Sequence, residues 1–267
     1  MSQLMPYLII NYPNPEIFQE SLGAMFEASP NYLEIQLPFS NPVADGPIIY
    51  AADQVALKFN EPIEKSLEVI DSIKKQFPSC KTELILMSYI SRAVNYGCRE
   101  FAELLVKYNY YGLVCPDMPF GTPEQKLLSE IWKNQKPCLI PVISPLTKKT
   151  RLDKIKLDLK PNQMIYPMAR VGKTGGNTDL NQPEILEYFN FLKTELPGYK
   201  IAIGFGIKSR EQIEILDKYG FVAIVATELI RRINTALENE KAISTVIKNF
   251  VLELSGLPET LNSHSRG

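Results

Sequence analysis

Two carboxylates and a small set of glycines are the residues of this chain whose types and spacing could do chemistry. Glu34 lies in Tyr32-Leu-Glu-Ile-Gln-Leu-Pro38. Period-two alternation sends Leu33, Ile35 and Leu37 to one side of a strand and Glu34 and Gln36 to the other. If the apolar set faces helices, Glu34 points into the space the strands enclose. A carboxylate with little water around it has its pKa raised toward the range useful for general acid/base work. The same pattern also accommodates a glutamate satisfied by a structural hydrogen bond. Asp45 follows in Ala44-Asp-Gly-Pro47, where a turn could hold its side chain near Glu34, although Asp-Gly is also an ordinary turn sequence. Two carboxylates in unlike environments, one enclosed and one near a rim, suit an acid/base group paired with a substrate anchor.

The glycines suggest a phosphate. Ile203-Gly-Phe-Gly-Ile207 follows an apolar run. Gly204, Phe205 and Gly206 there would expose backbone N–H groups, with the Thr227 hydroxyl where the next helix begins. A tight turn is the alternative reading. Arg170-Val-Gly-Lys-Thr-Gly-Gly176 contains a Gly-Lys-Thr, but Pro167 stands where a phosphate-binding P-loop needs glycine and no helix follows directly. Its glycines, with Thr174 and Gly175, suggest a lid that excludes water on closing. Tyr89 and Tyr166 fall at or just beyond strand ends, either lining a pocket or half-buried in the framework. Asp117, in Cys115-Pro-Asp-Met-Pro119, reads as an acid that structures a loop.

Composition removes other chemistries. The 267 residues include one histidine, His264, in a tail without apolar period, so catalysis or metal binding through imidazole has no framework. Four cysteines without a CxxC pair point to a reduced protein with no cysteine metal site, and no metal site is expected. The 29 basic and 30 acidic residues balance to a net charge of -1, which argues against nucleic acid as a partner. The basic run from Lys148 to Lys160 carries Leu152, Ile155 and Leu159 at helical spacing, as a solvated helix face does. The first ten residues lack a charged leader, and no window approaches a membrane span. A cytoplasmic protein without membrane contact is the expectation.

Positioning these groups requires a framework, and short apolar runs alternate with amphipathic ones from end to end. The pattern predicts strands at Tyr7–Asn11, Tyr32–Leu37, Glu83–Ser88, Gly112–Cys115, Cys138–Ile143, Met164–Tyr166, Lys200–Ile203 and Val222–Ala226. Helices are predicted at 15–28, 61–76, 98–108, 123–134, 149–158, 182–195, 209–219 and 239–255. Strands such as Leu84-Ile-Leu-Met87 are continuous apolar runs, as in a parallel sheet covered on both faces. Eight strand-helix units predict a single-domain (β/α)8 barrel of the α/β class over residues 1–256, with a disordered tail at 257–267. An open doubly wound sheet is the rival, but its glycine-rich dinucleotide fingerprint is missing after Asn11. Two connections are long, Pro38 to Asn60 and Pro167 to Leu180. In a barrel such loops cover the C-terminal face, where active sites are built.

The run Leu33-Glu-Ile-Gln-Leu-Pro-Phe-Ser-Asn-Pro-Val-Ala-Asp-Gly-Pro47 resembles the signature of the tryptophan synthase alpha subunit family. Similarity continues, in family order, through Pro116-Asp-Met-Pro119, Arg170-Val-Gly-Lys-Thr-Gly175 and Gly204-Phe-Gly206. The resemblance implies a (β/α)8 lyase that cleaves indole-3-glycerol phosphate to indole and glyceraldehyde 3-phosphate by a retro-aldol reaction. It puts Glu34 at the family's general acid/base position and Asp45 at the position that receives the indole N–H. Tyr166 falls on a pocket tyrosine, Gly175, Gly204, Gly206 and Thr227 on phosphate-binding positions, and Thr174 on the threonine that orients the aspartate. It further implies no cofactor in this chain. The implied partner is a pyridoxal-phosphate beta subunit in an alpha2beta2 assembly that receives the indole.

Four departures stand out: Gln36 for a glycine beside Glu34, Asn41 for an aspartate facing the beta subunit, Ala226 for a glycine before Thr227, and no helix ahead of the first strand. Of these, Gln36 and Ala226 motivate the first of two alternatives to the lyase, and Gln36 the second. One is an alpha-like barrel that activates a beta subunit without efficient cleavage. The other is a barrel lyase for another phosphorylated substrate.

Overall fold

The structure is a computed structural model that describes residues 3–133, 136–168, 179–204 and 206–257. It runs β1 (Gln3–Ile9), α1 (Pro15–Ala28), β2 (Tyr32–Gln36), α2 (Pro47–Ala56), a 3-10 turn (Leu57–Phe59) and α3 (Ile63–Lys75). Next come β3 (Glu83–Met87), α4 (Ile90–Tyr96), α5 (Cys98–Lys107), β4 (Gly112–Val114), α6 (Pro123–Ile131), β5 (Cys138–Ile140) and β6 (Val142–Ile143). The chain continues through α7 (Lys149–Asp158), β7 (Met164–Pro167), α8 (Pro183–Glu195), β8 (Lys200–Ile203), α9 (Arg210–Tyr219), β9 (Val222–Val225), α10 (Thr227–Glu238) and α11 (Ile243–Ser255).

All strand pairs are parallel, in the order β5-β4-β3-β2-β1-β9-β8-β7-β6. The two ends of that order, β5 and β6, are consecutive pieces of one extended segment interrupted at Pro141. Proline brings no ladder N–H, but its carbonyl accepts from Tyr166 N at 2.9 Å, and Ile143 O accepts from Met168 N at 2.7 Å. The broken strand therefore closes the sheet, and the fold is the (β/α)8 barrel of the α/β class.

Burial divides β2 as its alternation predicts. Leu33 and Ile35 join Leu84, Leu86, Leu113 and Ile203 in the layer beneath the helices, with Leu22, Phe101, Phe189 and Phe250. Tyr32 instead joins Met5, Ile85, Met87, Ile140, Met164, Ala202 and Ile224 in a second cluster. Glu34 and Gln36 share Tyr32's face by period and are themselves buried.

Local chemistry sets the helix ends. Asn14 caps α1, its side chain accepting from Ile17 N at 2.9 Å, and Pro15 supplies a preset φ. The helix stops at Ser29 in the left-handed region (φ 50°). Thr122 and Pro123 start α6 in the same way, and Gly220 (φ 71°) ends α9. The helix ring closes where α11 meets α1: Ser244 N donates to Glu20 at 2.9 Å, and Lys248 pairs with Glu27. Asn14→Ala is expected to lower unfolding free energy by about 1 kcal/mol, measured by urea titration at unchanged slope.

Several elements differ from the sequence pattern. β1 begins at Gln3, upstream of the predicted Tyr7, with Pro6 accommodated opposite Val225, while Asn11 turns out of the strand at φ 61°. The connection from Pro38 to Asn60 contains α2, whose buried stripe of Ile49, Ala52, Asp53 and Ala56 has helical spacing but includes a charge. Helix α4 precedes the predicted 98–108 helix. α10 occupies the region between β9 and the predicted 239–255 helix, with Leu229, Ile230, Ile233 and Ala236 inward. Among the described residues no helix precedes β1.

Candidate active site

Strand β2 and helix α2 set the carboxylates of the site. Glu34 is 2 % exposed, and its Oε2 has no hydrogen-bond partner among the described residues. Burial pushes its pKa up to about 8, with the negative charge of Asp45 adding to the rise. Such a carboxyl is protonated at neutral pH and can both give and recover a proton.

Asp45 sits after the turn closed by its own N–H on Pro42 O at 3.1 Å. Its Oδ2 accepts from the Tyr89 hydroxyl at 3.2 Å and, more weakly, from Gln36 Nε2 at 3.5 Å. Burial raises its pKa to about 6, and these two hydrogen bonds oppose the rise. The Tyr89 oxygen in turn accepts from Ala44 N at 3.2 Å, and its ring stacks on Phe39 with centroids 4.6 Å apart. Tyr166 is shifted well above the usual phenol value, first by burial and then by the charges of Glu34 and Asp45. Its hydroxyl therefore stays neutral beside them.

Three groups the sequence pattern did not single out belong to this cluster. Asp53, fully buried on α2, accepts from Gln36 Nε2 at 2.6 Å and from Phe39 N at 3.3 Å. Its pKa rises to about 7, chiefly through burial. Tyr7 on β1 donates to Gln36 Oε1 at 2.5 Å. Phe39 supplies the ring under Tyr89. A lone acid in the otherwise apolar stripe of α2 was the one sequence signal for Asp53, and it is legible only once that stretch is read as helix. Gln36 lies beside Glu34 as the alternation requires, but its amide is engaged by Tyr7 and the two aspartates.

A second part of the barrel mouth carries the glycines. Gly204 follows β8 and bridges Met168. A Cβ there would come within 3.4 Å of the Ile224 side chain. Gly206 adopts φ 69°, a conformation glycine takes without strain. Thr227, buried, is the first residue of α10, whose N-cap residue Ala226 offers no side-chain hydrogen bond. An uncapped first turn presents backbone N–H groups and the positive end of the helix dipole, which suits an anion. The acid in that turn, Glu228, is occupied by Arg231 and Arg232. Asp117 accepts from Ile90 N at 2.9 Å, tying the loop after β4 to the start of α4. Thr174, Gly175 and Phe205 lie outside the described residues, as does His264.

The family model for the tryptophan synthase alpha chain matches residues 1–256. The tryptophan synthase alpha chain of Gluconobacter oxydans is 32% identical over 95% of this chain and 91% of its own length. That of Halalkalibacterium halodurans is 30% identical over 88% and 85%. In the solved tryptophan synthase complex from Pyrococcus furiosus, one chain superposes with a TM-score of 0.77 at 23% identity, covering 96% of this chain and 98% of that one. With a barrel that places Glu34 and Asp45 together and a family match over 256 residues, the chain belongs to the tryptophan synthase alpha chain family.

Proposed function

We propose that Glu34 and Asp45 carry out the family's lyase reaction, cleavage of indole-3-glycerol phosphate to indole and glyceraldehyde 3-phosphate. The observation that carries this reading is an enclosed Glu34 with one oxygen unpartnered among the described residues, beside an Asp45 already held by Tyr89 and Gln36. Glu34 gives its proton to C3 of the indole ring. Asp45, ionised, receives the ring N–H and stabilises the positive indolenine. Glu34, now a carboxylate, takes the proton of the side-chain hydroxyl on the carbon attached to C3. That C–O–H becomes C=O, the carbon–carbon bond breaks, and its electron pair returns to the ring, releasing indole and the aldehyde with Glu34 protonated again. Tyr89 and Tyr166 line the pocket. Gly204, Phe205, Gly206 and Thr227 bind the phosphate with Gly175, and Thr174 orients Asp45 from the lid.

The partner in this reading is a tryptophan synthase beta subunit in an alpha2beta2 assembly. Exposed Val43 and Tyr50 on the connection that carries Asp45, with Val94 on α4, supply apolar surface for it. Pyridoxal phosphate would reside in that subunit, and the chemistry assigned to this chain runs through carboxylates alone. A cytoplasmic location fits four free cysteines and the lack, among the described residues, of any helix long and apolar enough to cross a membrane.

The two roles need opposite protonation states, so kcat/KM for indole release is expected to be bell-shaped. It should rise as Asp45 ionises near pH 6 and fall as Glu34 loses its proton near pH 8. A profile flat from pH 5 to 9, with chemistry shown to be rate-limiting, would contradict the assignment.

A further inference from the structure

Asp53 does not face the reacting atoms in the scheme above, yet it is fully buried and both of its oxygens are used. One oxygen accepts from Gln36 Nε2 at 2.6 Å, and the same amide group leans toward Asp45 at 3.5 Å. The direction of that amide is fixed from behind. Tyr7 donates its hydroxyl to Gln36 Oε1 at 2.5 Å, so the NH2 must face the two aspartates. The other Asp53 oxygen accepts from Phe39 N at 3.3 Å, and Phe39 is the ring on which Tyr89 stacks. Tyr89 donates to the same Asp45 oxygen that Gln36 approaches. Gln54, the next residue on α2, adds a bond to Ser40 O at 3.2 Å, so the Phe39–Ser40 strap is fastened twice to the helix.

We propose that Asp53 is a positioning residue for the cleavage reaction, holding Asp45 through two arms: the Gln36 amide on one side and the Phe39–Tyr89 stack on the other. The inference rests on the reading of Asp45 as the group that receives the indole N–H. Only a carboxylate serves both arms. Each partner of Asp53 is a donor, so an asparagine, with one oxygen and one NH2, sets donor against donor at one of them. Releasing either arm lets Asp45 drift from a place where displacement of about 1 Å is enough to slow a reaction severely.

The test is a pair of double-mutant cycles on the full chain, reading kcat and KM for indole release together with inhibition by glycerol 3-phosphate. Asp53→Asn is expected to lower kcat about tenfold, leaving glycerol 3-phosphate inhibition unchanged because the phosphate end is not touched. In an Asp45→Asn background the same substitution should cost nothing more, since the group it positions is already disabled. Losses that multiply in the double variant, or full activity of Asp53→Asn, overturn the proposal. Full activity of Asp45→Asn alone would instead remove the reading on which it rests. If circular dichroism shows Asp53→Asn unfolded, the cycle of Gln36→Met with Asp45→Asn decides by the same criterion, because it cuts one arm and leaves Asp53 in place.

Discussion

Glu34→Gln is expected to release indole at least a hundredfold more slowly than the parent chain, within the ~10²–10⁴-fold range for loss of a positioned acid/base, while becoming the more stable protein at pH 8. The first effect follows because glutamine keeps the shape of Glu34 but holds no transferable proton. The second follows from the sign of the shift. Folding raises the Glu34 pKa from 4.5 to about 8, so the native state binds this proton more tightly than the unfolded chain does. The resulting stability is fully present below about pH 4.5 and is lost as pH rises through 8. Glutamine does not titrate and escapes that loss. Asp45 and Asp53, raised from 3.8 to about 6 and about 7, act in the same direction and remain in the variant. Thermal midpoints of the two proteins, measured from pH 4 to pH 9, should therefore separate progressively over the Glu34 window. Parallel curves, or an active variant, would contradict the role of enclosure.

Asp45→Asn is expected to cost about 10–100-fold in kcat/KM, the scale of one hydrogen bond to a charged group. It should also remove the rising limb of the pH profile near pH 6 and move the fall below pH 8, because the Asp45 charge no longer adds to the rise of Glu34. Stability should change little below about pH 4 and improve progressively up to about pH 6 and above, where burial of the Asp45 charge has its full cost. The check is kcat/KM for indole release over pH 5–9 on both proteins. A loss of activity with both limbs intact would make Asp45 a structural residue.

Much of the fold could be read from period alone, because parallel strands covered on both faces are apolar runs and their helices carry regular stripes. The placement of Glu34 inside the barrel followed from the alternation of Leu33, Ile35 and Leu37. Local pattern failed where tertiary contacts decide. Helix α2 hides in a turn-rich stretch because its inward stripe includes Asp53, whose burial is tolerated only through donors from Gln36 and Phe39. α10 begins at Thr227, where the sequence predicts a helix start, but its N-cap residue Ala226 offers no capping side chain, and the predicted helical stripe covers only 239–255. The break of the fifth strand at Pro141 is compensated by bonds from β7 and Met168, far along the chain. Gln36 shows the same limit in the site. Beside Glu34 it is merely a large residue where the family resemblance implies glycine. Tyr7 and the aspartates that orient its amide belong to other elements, out of reach of any local spacing.

Enclosure is expected to keep Glu34 protonated at neutral pH. Infrared difference spectroscopy of the parent chain against Glu34→Gln, titrated from pH 4 to pH 10, addresses it directly. A protonated-carboxyl band that belongs to Glu34 and disappears near pH 8 is the expected result. Its disappearance near pH 4.5, the ordinary glutamate value, would contradict it.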